Sequence, residues 1–473
     1  MDISLLLKQC EMSDEEMVTQ KPRIERALQK SGIKDDDVKK AEANMERYYT
    51  SAGSRKAMGH WLKRYTDISL VHEDGKKFVY HVDPGMPRFN LVMQFVAGGP
   101  NGNIVCDFVD TVAVAVFGMT LFDKVSYFAQ IAERNGMDEG IAHCGTQQTG
   151  LGCIVSGAIP SPDLIVGGGF HCDQGPKYCE LLGERYGVPV FYVDSTRDEN
   201  RGVFPDVVDE NVKYLADSHR QFSKDVGDHL NIELPPELWK KARQEYGKLW
   251  FRIMQLQKII VKADPRPINA LDDIAVTFAA LDPDWRLDEI HQCFDLVIND
   301  ARERSEKGVG VMEKGAPKVN ICSPPRADLV ELFQEVGINV VIPGDYAWVA
   351  PWELGQPRKS GDDFDKIAES YIRKGYLRCG WDHTYRFAEC AKVLALDGVI
   401  YGYYWACRVL TPPGTWTKDY VEKKLGLPCM SIEIDLLDPR FHTAEQQRTR
   451  IETFAGILKA HKKAREAKAS ASS

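Results

Sequence analysis

Several common signatures are missing from this sequence of 473 residues. It has no run of about 18 apolar residues, the length that a membrane-spanning helix requires. Its N-terminus lacks the basic segment of a secretory signal peptide. No basic stripe marks a nucleic-acid surface, and a formal net charge of −9 is ordinary for a soluble protein. We therefore expect a cytoplasmic protein that binds neither nucleic acid nor membranes.

The cysteines also lack the spacing of common metal motifs. None of the twelve cysteines belongs to a Cys-x-x-Cys pair, so a zinc ribbon or a ferredoxin-type cluster with local ligands is not expected. Without a signal peptide, this many cysteines indicate a reducing compartment. Most are expected to be small buried hydrophobic residues. A metal site would have to be assembled from distant loops.

Phosphate-binding motifs are missing as well. The glycines at 167–169 belong neither to a Gly-x-Gly-x-x-Gly sequence nor to a P-loop with its lysine and hydroxyl residue. A flavodoxin-like or nucleotide-binding protein without a metal is therefore disfavoured.

Length and an apolar content of 44% allow more than one domain. We expect an α/β protein with two doubly wound, Rossmann- or flavodoxin-like parallel sheets. The predicted division is a helical N-terminal extension (1–95), a first α/β domain (96–206), a helical connector (207–312), a second α/β domain (313–460) and a disordered tail (461–473).

The stretch from Pro162 to Asp173 organises the first α/β domain. Its apolar residues 164–166 predict a short buried strand, and three glycines then let the backbone turn before Cys172. A helical segment and a second apolar strand, which ends at Asp194, complete a βαβ unit. Cys172 is thus expected at the carboxyl edge of the sheet, where open α/β folds bind ligands.

A similar unit follows near the C-terminus. Asp163 precedes Cys172 by nine residues, and Asp397 precedes Cys407 by ten. In both units a Gly-x-Pro sequence closes the helix and an acid ends the next strand. Two such units predict two sheets whose carboxyl edges face a shared cleft.

Cysteines from both units would then enter this cleft. Cys172 and Cys407 are expected on opposite walls, and Cys144 lies in a loop or helix start just before the first unit. Three converging thiolates suit a soft metal centre such as an iron–sulfur cluster. The pattern is also compatible with two ordinary βαβ units and buried cysteines without a metal.

Two acids mark the apolar segment from Ile104 onward. Asp107 and Asp110 are three residues apart and would share one face of a helix. They are candidates for polarising a substrate, and alternatively belong to a solvated helix N-terminus.

Together these motifs resemble the catalytic component of the 2-hydroxyacyl-CoA dehydratase and benzoyl-CoA reductase family, closest to its larger, alpha-type subunit. The resemblance rests on Cys144-Gly, Pro162-Asp with Cys172-Asp, Asp397-Gly with Cys407, and Asp438-Pro-Arg with Thr449-Arg. It covers about residues 103–458, and the first hundred residues match only loosely.

The resemblance implies a 4Fe–4S cluster held by Cys144, Cys172 and Cys407, with one iron position open. It also implies an acyl-CoA substrate, a homologous second catalytic subunit and an ATP-hydrolysing iron–sulfur activator that supplies low-potential single electrons. The cluster would carry the difficult chemistry, while the protein orients the substrate and excludes water.

Further site residues follow from this comparison. Asp107 stands where relatives carry a glutamate at the start of a substrate-lining helix, so its shorter side chain puts that role in doubt. His143 and His171 flank the cysteine loops and are candidates for proton transfer, as is His383. Such histidines more often bind a backbone carbonyl.

Two activities remain open within the family. We favour an oxygen-sensitive benzoyl-CoA reductase that reduces an aromatic ring through a radical anion, because aromatic residues cluster at 346–348 and 401–405. The alternative is an (R)-2-hydroxyacyl-CoA dehydratase that removes water through a ketyl radical. A further alternative is a non-catalytic scaffold subunit.

Overall fold

The computed structural model describes residues 1–82, 86–138, 143–169, 174–195, 207–322, 325–343, 361–373, 381–404, 407, 411, 413–434, 437–440 and 443–472. Within these residues, no helix is both long and apolar enough to cross a lipid bilayer. The predicted α/β class is confirmed, because two separate sheets of parallel strands are surrounded by helices.

The first sheet has the strand order β2-β1-β3-β4 and all its strands are parallel. Its strands are β1 (Lys77–His81), β2 (Ile104–Phe108), β3 (Leu164–Gly168) and β4 (Val190–Val193). The helices up to β4 are α1 (Ser4–Gln9), α2 (Asp14–Lys30), α3 (Asp35–Tyr48), α4 (Ala52–Ser69), α5 (Pro87–Ala97), α6 (Val109–Phe117), α7 (Val125–Glu133), α8 (Gly145–Val155) and α9 (Gln174–Tyr186).

The second sheet has the order β6-β5-β7-β8 and is parallel as well. Its strands are β5 (Lys318–Ile321), β6 (Asn339–Pro343), β7 (Gly398–Tyr404) and β8 (Cys429–Ile434). The helices between the sheets are α10 (Asp209–Leu230), α11 (Pro236–Lys262), α12 (Ala270–Leu281) and α13 (Leu287–Glu306). The remaining helices are α14 (Ala327–Glu335), α15 (Asp363–Arg373), α16 (Trp381–Val393), α17 (Pro413–Tyr420), which continues as a π-helical turn (Val421–Leu425), and α18 (Ala444–Ser472).

The two sheets share a detailed backbone plan. In each, an aspartate just before the third strand exchanges hydrogen bonds with the first strand. The backbone amide and carbonyl of Phe78 bond Asp163 at 2.7 and 2.8 Å, and those of Lys318 bond Asp397 at 2.8 and 2.7 Å. The acids of the predicted repeat thus fix the register of neighbouring strands.

The Gly-x-Pro sequences of the repeat are equivalent too. Gly187 and Gly426 have φ values of 65° and 64°, a region that favours glycine, and they end the preceding helical segments. Two residues later, the carbonyls of Pro189 and Pro428 each accept a 3.0 Å hydrogen bond from the third strand. The two units of the sequence repeat therefore have equivalent backbone structures.

Several segments differ from the expectation. β1 lies in the middle of the first sheet, although its residues fall in the predicted helical extension. The segment from Ile104 begins as strand β2, so Asp107 is on a strand and Asp110 on α6, and they do not share a helical face. The predicted disordered tail is wrong up to Ser472, because strong helix formers continue α18.

Charged contacts hold the two α/β domains together. The Arg440 guanidinium bonds Asp438 at 2.7 Å and Glu133 of α7 at 2.6 and 3.2 Å, and the Ser126 hydroxyl donates to Asp438 at 2.8 Å. Asp438 is 1% exposed. The Asp-Pro-Arg sequence is thus an interdomain clamp.

We expect the two repeat acids to differ in their contribution to stability. Asp397→Ala should lower the free energy of unfolding by about 2–3 kcal/mol, because it leaves a backbone amide unbonded and removes a buried carboxylate that also pairs with Arg465 at 2.5 Å. Asp163→Ala should cost about 1 kcal/mol, because the Asp163 side chain is 46% exposed and water replaces it. Urea unfolding measures both, and equal losses would contradict this account.

Candidate active site

Cys144 lies at the N-terminus of α8. It is the N-cap residue, and its carbonyl accepts the first bond of the helix from Gln148 at 2.9 Å. Its own backbone amide donates to the side-chain oxygen of Gln174 at 2.9 Å. Gln174 begins α9 and follows Cys172 by two positions in the sequence, so this bond ties Cys144 to the start of α9.

Opposing effects act on the Cys144 thiol. Burial raises its pKa to about 11, and the nearby Cys407 adds to this rise. Hydrogen bonds from the Thr146 hydroxyl and from the backbone amides of Thr146 and Gln147 act in the opposite direction. Because these amides form the positive end of α8, they favour a thiolate once a positive centre is bound.

Cys407 follows the last residue of β7 by three positions. Its backbone amide donates to the Tyr404 carbonyl at 2.9 Å, and its carbonyl accepts from the amide and hydroxyl of Thr411 at 3.0 and 2.7 Å. These bonds hold Cys407 near the carboxyl end of β7, at the carboxyl edge of the second sheet. Cys407 is partly buried against the main core.

Two of the three predicted cysteines lie within electrostatic range of each other. Cys144 belongs to the first α/β domain and Cys407 to the second, and they are near enough for charge on Cys407 to raise the pKa of Cys144. Cys172 and His171 lie outside the described residues. Within the described part of the chain, no group of three or more His, Cys, Asp or Glu side chains is arranged to hold a metal ion.

His143 directly precedes Cys144 and is half-buried. Burial lowers its pKa, so the imidazole is neutral at neutral pH. Its Nε2 has no hydrogen-bond partner among the described residues. A neutral imidazole with one uncommitted nitrogen can accept or donate a proton. The side chain of His383, on α16, is not among those described.

An apolar cavity of about 190 Å³ lies beside the first turn of α8, the helix that Cys144 caps. Thr146 lines it from the first turn of α8, and Arg326 lines it from the start of α14. Apolar residues of α4, α6 and α12 form much of the remaining wall. Since α14 follows β5, and Leu437 follows β8, the cavity lies where the carboxyl edges of both sheets meet.

Asp107 lies elsewhere. It lines a larger cavity of about 870 Å³, in which paired acids and bases predominate, for example Lys63 with Glu16 at 2.9 Å and with Glu289 at 2.5 Å. Because the acids and bases that line the larger cavity are already paired with one another, this cavity is a weaker candidate for the place where the reaction occurs.

The partner of Asp107 is Arg64, a buried residue of α4. The Arg64 Nε donates to Asp107 at 3.0 Å, Nη2 bonds the other carboxylate oxygen, and the Phe108 amide donates at 2.8 Å. Burial raises the pKa of Asp107, while Arg64 opposes the rise. These contacts give Asp107 a structural role, and its catalytic role stays a prediction.

Asp110 supports the helix that carries Cys144. Its carboxylate accepts a 2.6 Å hydrogen bond from the Tyr80 hydroxyl, which lies 3.2 Å from that of Tyr178. α8 packs directly on this group, because a Cβ atom at Gly150 would lie 2.0 Å from Asp110 and 2.4 Å from Tyr80. Only glycine at this position allows so close an approach.

Sequence reasoning missed Thr146, Gln174 and the Arg440 clamp as parts of the site. A signal for Thr146 was present, since a hydroxyl two positions after a helix N-cap lies in the first helical turn. The contacts of Gln174 and Arg440 span 30 and 307 positions, so no local pattern indicates them.

We expect Asp107→Asn to lower the free energy of unfolding by about 3 kcal/mol, because it leaves the buried Arg64 guanidinium without a balancing charge. Urea unfolding of the free chain measures this without any substrate.

Arg47→Gln is the matched control. It breaks an ion pair with Glu331 whose side chains are 60% and 33% exposed, and it should change stability by about 1 kcal/mol or less. Wild-type stability of Asp107→Asn, combined with lost activity, would instead support the catalytic role.

Comparison with known proteins places these residues in context. Residues 116–458 match the family described as 2-hydroxyglutaryl-CoA dehydratase, D-component. The (R)-2-hydroxyisocaproyl-CoA dehydratase alpha subunit of Clostridioides difficile is 22% identical over 71% of this chain and 81% of its own length. The lactoyl-CoA dehydratase subunit alpha of Anaerotignum propionicum is 24% identical, over 65% and 72%. The (R)-2-hydroxyglutaryl-CoA dehydratase subunit alpha of Acidaminococcus fermentans is 20% identical, over 64% and 62%.

These relatives favour the dehydratase alternative over the benzoyl-CoA reductase that the sequence pattern led us to prefer. The family match covers both βαβ units of the repeat, from before Cys144 to beyond the Arg440 clamp. This chain belongs to the 2-hydroxyglutaryl-CoA dehydratase D-component family.

Proposed function

We propose that this chain is the alpha-type catalytic subunit of an (R)-2-hydroxyacyl-CoA dehydratase. The observation that carries the proposal is that Cys144 and Cys407, from different α/β domains, lie within electrostatic range of each other, and that the first turn of the helix capped by Cys144 lines an apolar cavity. Membership of the family and the names of the three relatives support the same reaction class.

The donor set suits an iron–sulfur cluster. Cys144 and Cys407 supply two thiols, and Cys172 is the proposed third ligand because Gln174, two positions later, bonds the Cys144 loop. Backbone amides at the start of α8 favour the thiolate form of Cys144. When bound, a 4Fe–4S cluster would supply single-electron chemistry at the substrate thioester.

The protein residues then handle water and protons. Dehydration of a 2-hydroxyacyl-CoA breaks the C2–O and C3–H bonds and releases water and a 2-enoyl-CoA. His143 is our candidate for moving a proton, because it is neutral, half-buried and next to Cys144. The apolar walls of the cavity keep bulk water away from the reacting atoms.

Partner proteins belong to the proposal as well. The named relatives are alpha subunits, so we expect a second subunit of related fold. An ATP-hydrolysing iron–sulfur activator would deliver the electron. A scaffold role without catalysis remains the alternative of a different class.

We expect the chain, purified without oxygen, to hold about four iron atoms, and Cys144→Ala, Cys172→Ala and Cys407→Ala each to lose most of them, because each removes a proposed ligand. Iron and sulfide analysis measures this.

Cys153→Ala is the matched control, since Cys153 is a fully buried cysteine on the same helix as Thr146. Its iron content should equal that of the wild type. Full iron in the three ligand variants would overturn the cluster assignment.

We expect the chain, combined with its second subunit, activator, ATP and a reductant, to convert an (R)-2-hydroxyacyl-CoA to the 2-enoyl-CoA. Product analysis distinguishes this from reduction of benzoyl-CoA under the same conditions. Reduction of benzoyl-CoA without dehydration would support the reductase. Unchanged dehydratase activity of the assembled enzyme when this chain contains no iron would support the scaffold role.

A further inference from the structure

The cavity beside Cys144 has a clear chemical character. Helix α6 contributes Thr111 and Ala115, Met119 follows this helix, and α12 contributes Leu271, Ile274 and Phe278. The residues from each helix are spaced three or four positions apart, so each helix presents one face to the cavity. Ala115, Met119, Ile274 and Phe278 are partly exposed because they border this space.

The size of the cavity matches a compact apolar group. Its volume is about 190 Å³, and an apolar cavity of about 150 Å³ is large enough to hold benzene. A branched alkyl or phenyl group therefore fills it well. A single methyl group would leave most of the space empty and would gain little from burial.

The charges disfavour an anionic guest. The cation that lines the cavity within the described part of the chain is Arg326, and Asp328 already binds its Nε and Nη2 at 3.1 and 2.8 Å. A carboxylate placed against the apolar walls would lose its hydration, and the nearby Asp328 would repel it.

The position of the cavity connects it to the reaction. Thr146 lines the cavity from the first turn of α8, two positions after the N-cap residue Cys144, so the space begins next to the proposed cluster ligand. A thioester held near Cys144 would direct the remainder of its acyl chain toward this space.

We infer that the cavity formed by α6, α12 and the start of α8 binds the side chain of the acyl group, and that it selects branched-alkyl or aryl 2-hydroxyacyl-CoAs over short or carboxylate-bearing ones. This inference rests on the proposed function and adds the substrate class.

Binding of saturated acyl-CoAs tests the inference without turnover. We expect the full chain, purified anaerobically with its second subunit, to bind 4-methylpentanoyl-CoA at least about tenfold more tightly than propionyl-CoA or glutaryl-CoA in calorimetric titrations. Equal affinity for all three would overturn the inference and leave the proposed function intact. Failure to bind any of them would overturn both.

Two variants that change the cavity in opposite directions sharpen the test. Ala115→Leu fills part of the space and should weaken the binding of 4-methylpentanoyl-CoA by about tenfold or more, while the affinity for propionyl-CoA stays nearly unchanged. Met119→Ala enlarges the space and should shift the preference toward a longer aryl acyl-CoA. If one variant does not fold, the acyl-CoA affinities of the other variant are enough to test the inference.

Ala460→Leu is the matched control, since it makes the same change at an exposed position of α18. It should leave all three affinities unchanged. An equal loss of 4-methylpentanoyl-CoA affinity in Ala460→Leu and Ala115→Leu, or no loss in Ala115→Leu, would contradict the assignment.

Discussion

The contact of Arg440 with both Asp438 and Glu133 is the interaction on which the site geometry depends. Each α/β domain has its own parallel sheet, so neither sheet alone determines where the other lies. Arg440 joins the loop after β8 to α7, and Asp438 is almost fully buried in this junction. Charge-assisted bonds of this kind are directional as well as strong, so they fix the relative orientation of the domains. Leu437, the neighbour of Asp438, then lines the cavity.

Once the domains are joined, the repeated strand order explains where the chemistry lies. Parallel strands of both sheets end toward the same junction, so loops that are distant in sequence meet there. Cys144 and Cys407 are 263 positions apart (407 − 144) and come within electrostatic range of each other in this way. The same junction contains an apolar space next to the first turn of α8, lined by residues of α6, α12 and the start of α14. The positions of the two cysteines and of the apolar cavity thus follow from one architectural feature.

Burial affects the ionisable groups near the two cavities in different ways. Near Asp107 the protein matches every buried charge with a partner, and Arg64 provides the balance. Near Cys144 burial raises the thiol pKa, while the helix amides oppose this rise. His143 is kept neutral for the same reason, since its surroundings are poor in water. The contrast explains why the larger cavity is structural and the smaller one is the candidate for catalysis.

The sequence alone determined the α/β class, the βαβ repeat and the cysteines worth considering. Apolar strands, Gly-x-Pro sequences and the acids before each third strand are local signals, and local backbone preferences produce them. Tertiary structure decided the rest. Asp107 belongs to a strand and pairs with Arg64, β1 joins the first sheet although it precedes the predicted start of that domain, and the residues after 460 extend a helix. It also decided that Cys144 and Cys407 come within electrostatic range of each other, and that the helix capped by Cys144 lines an apolar cavity. Such contacts depend on how domains pack, and neither spacing nor composition encodes the distance between two loops hundreds of residues apart.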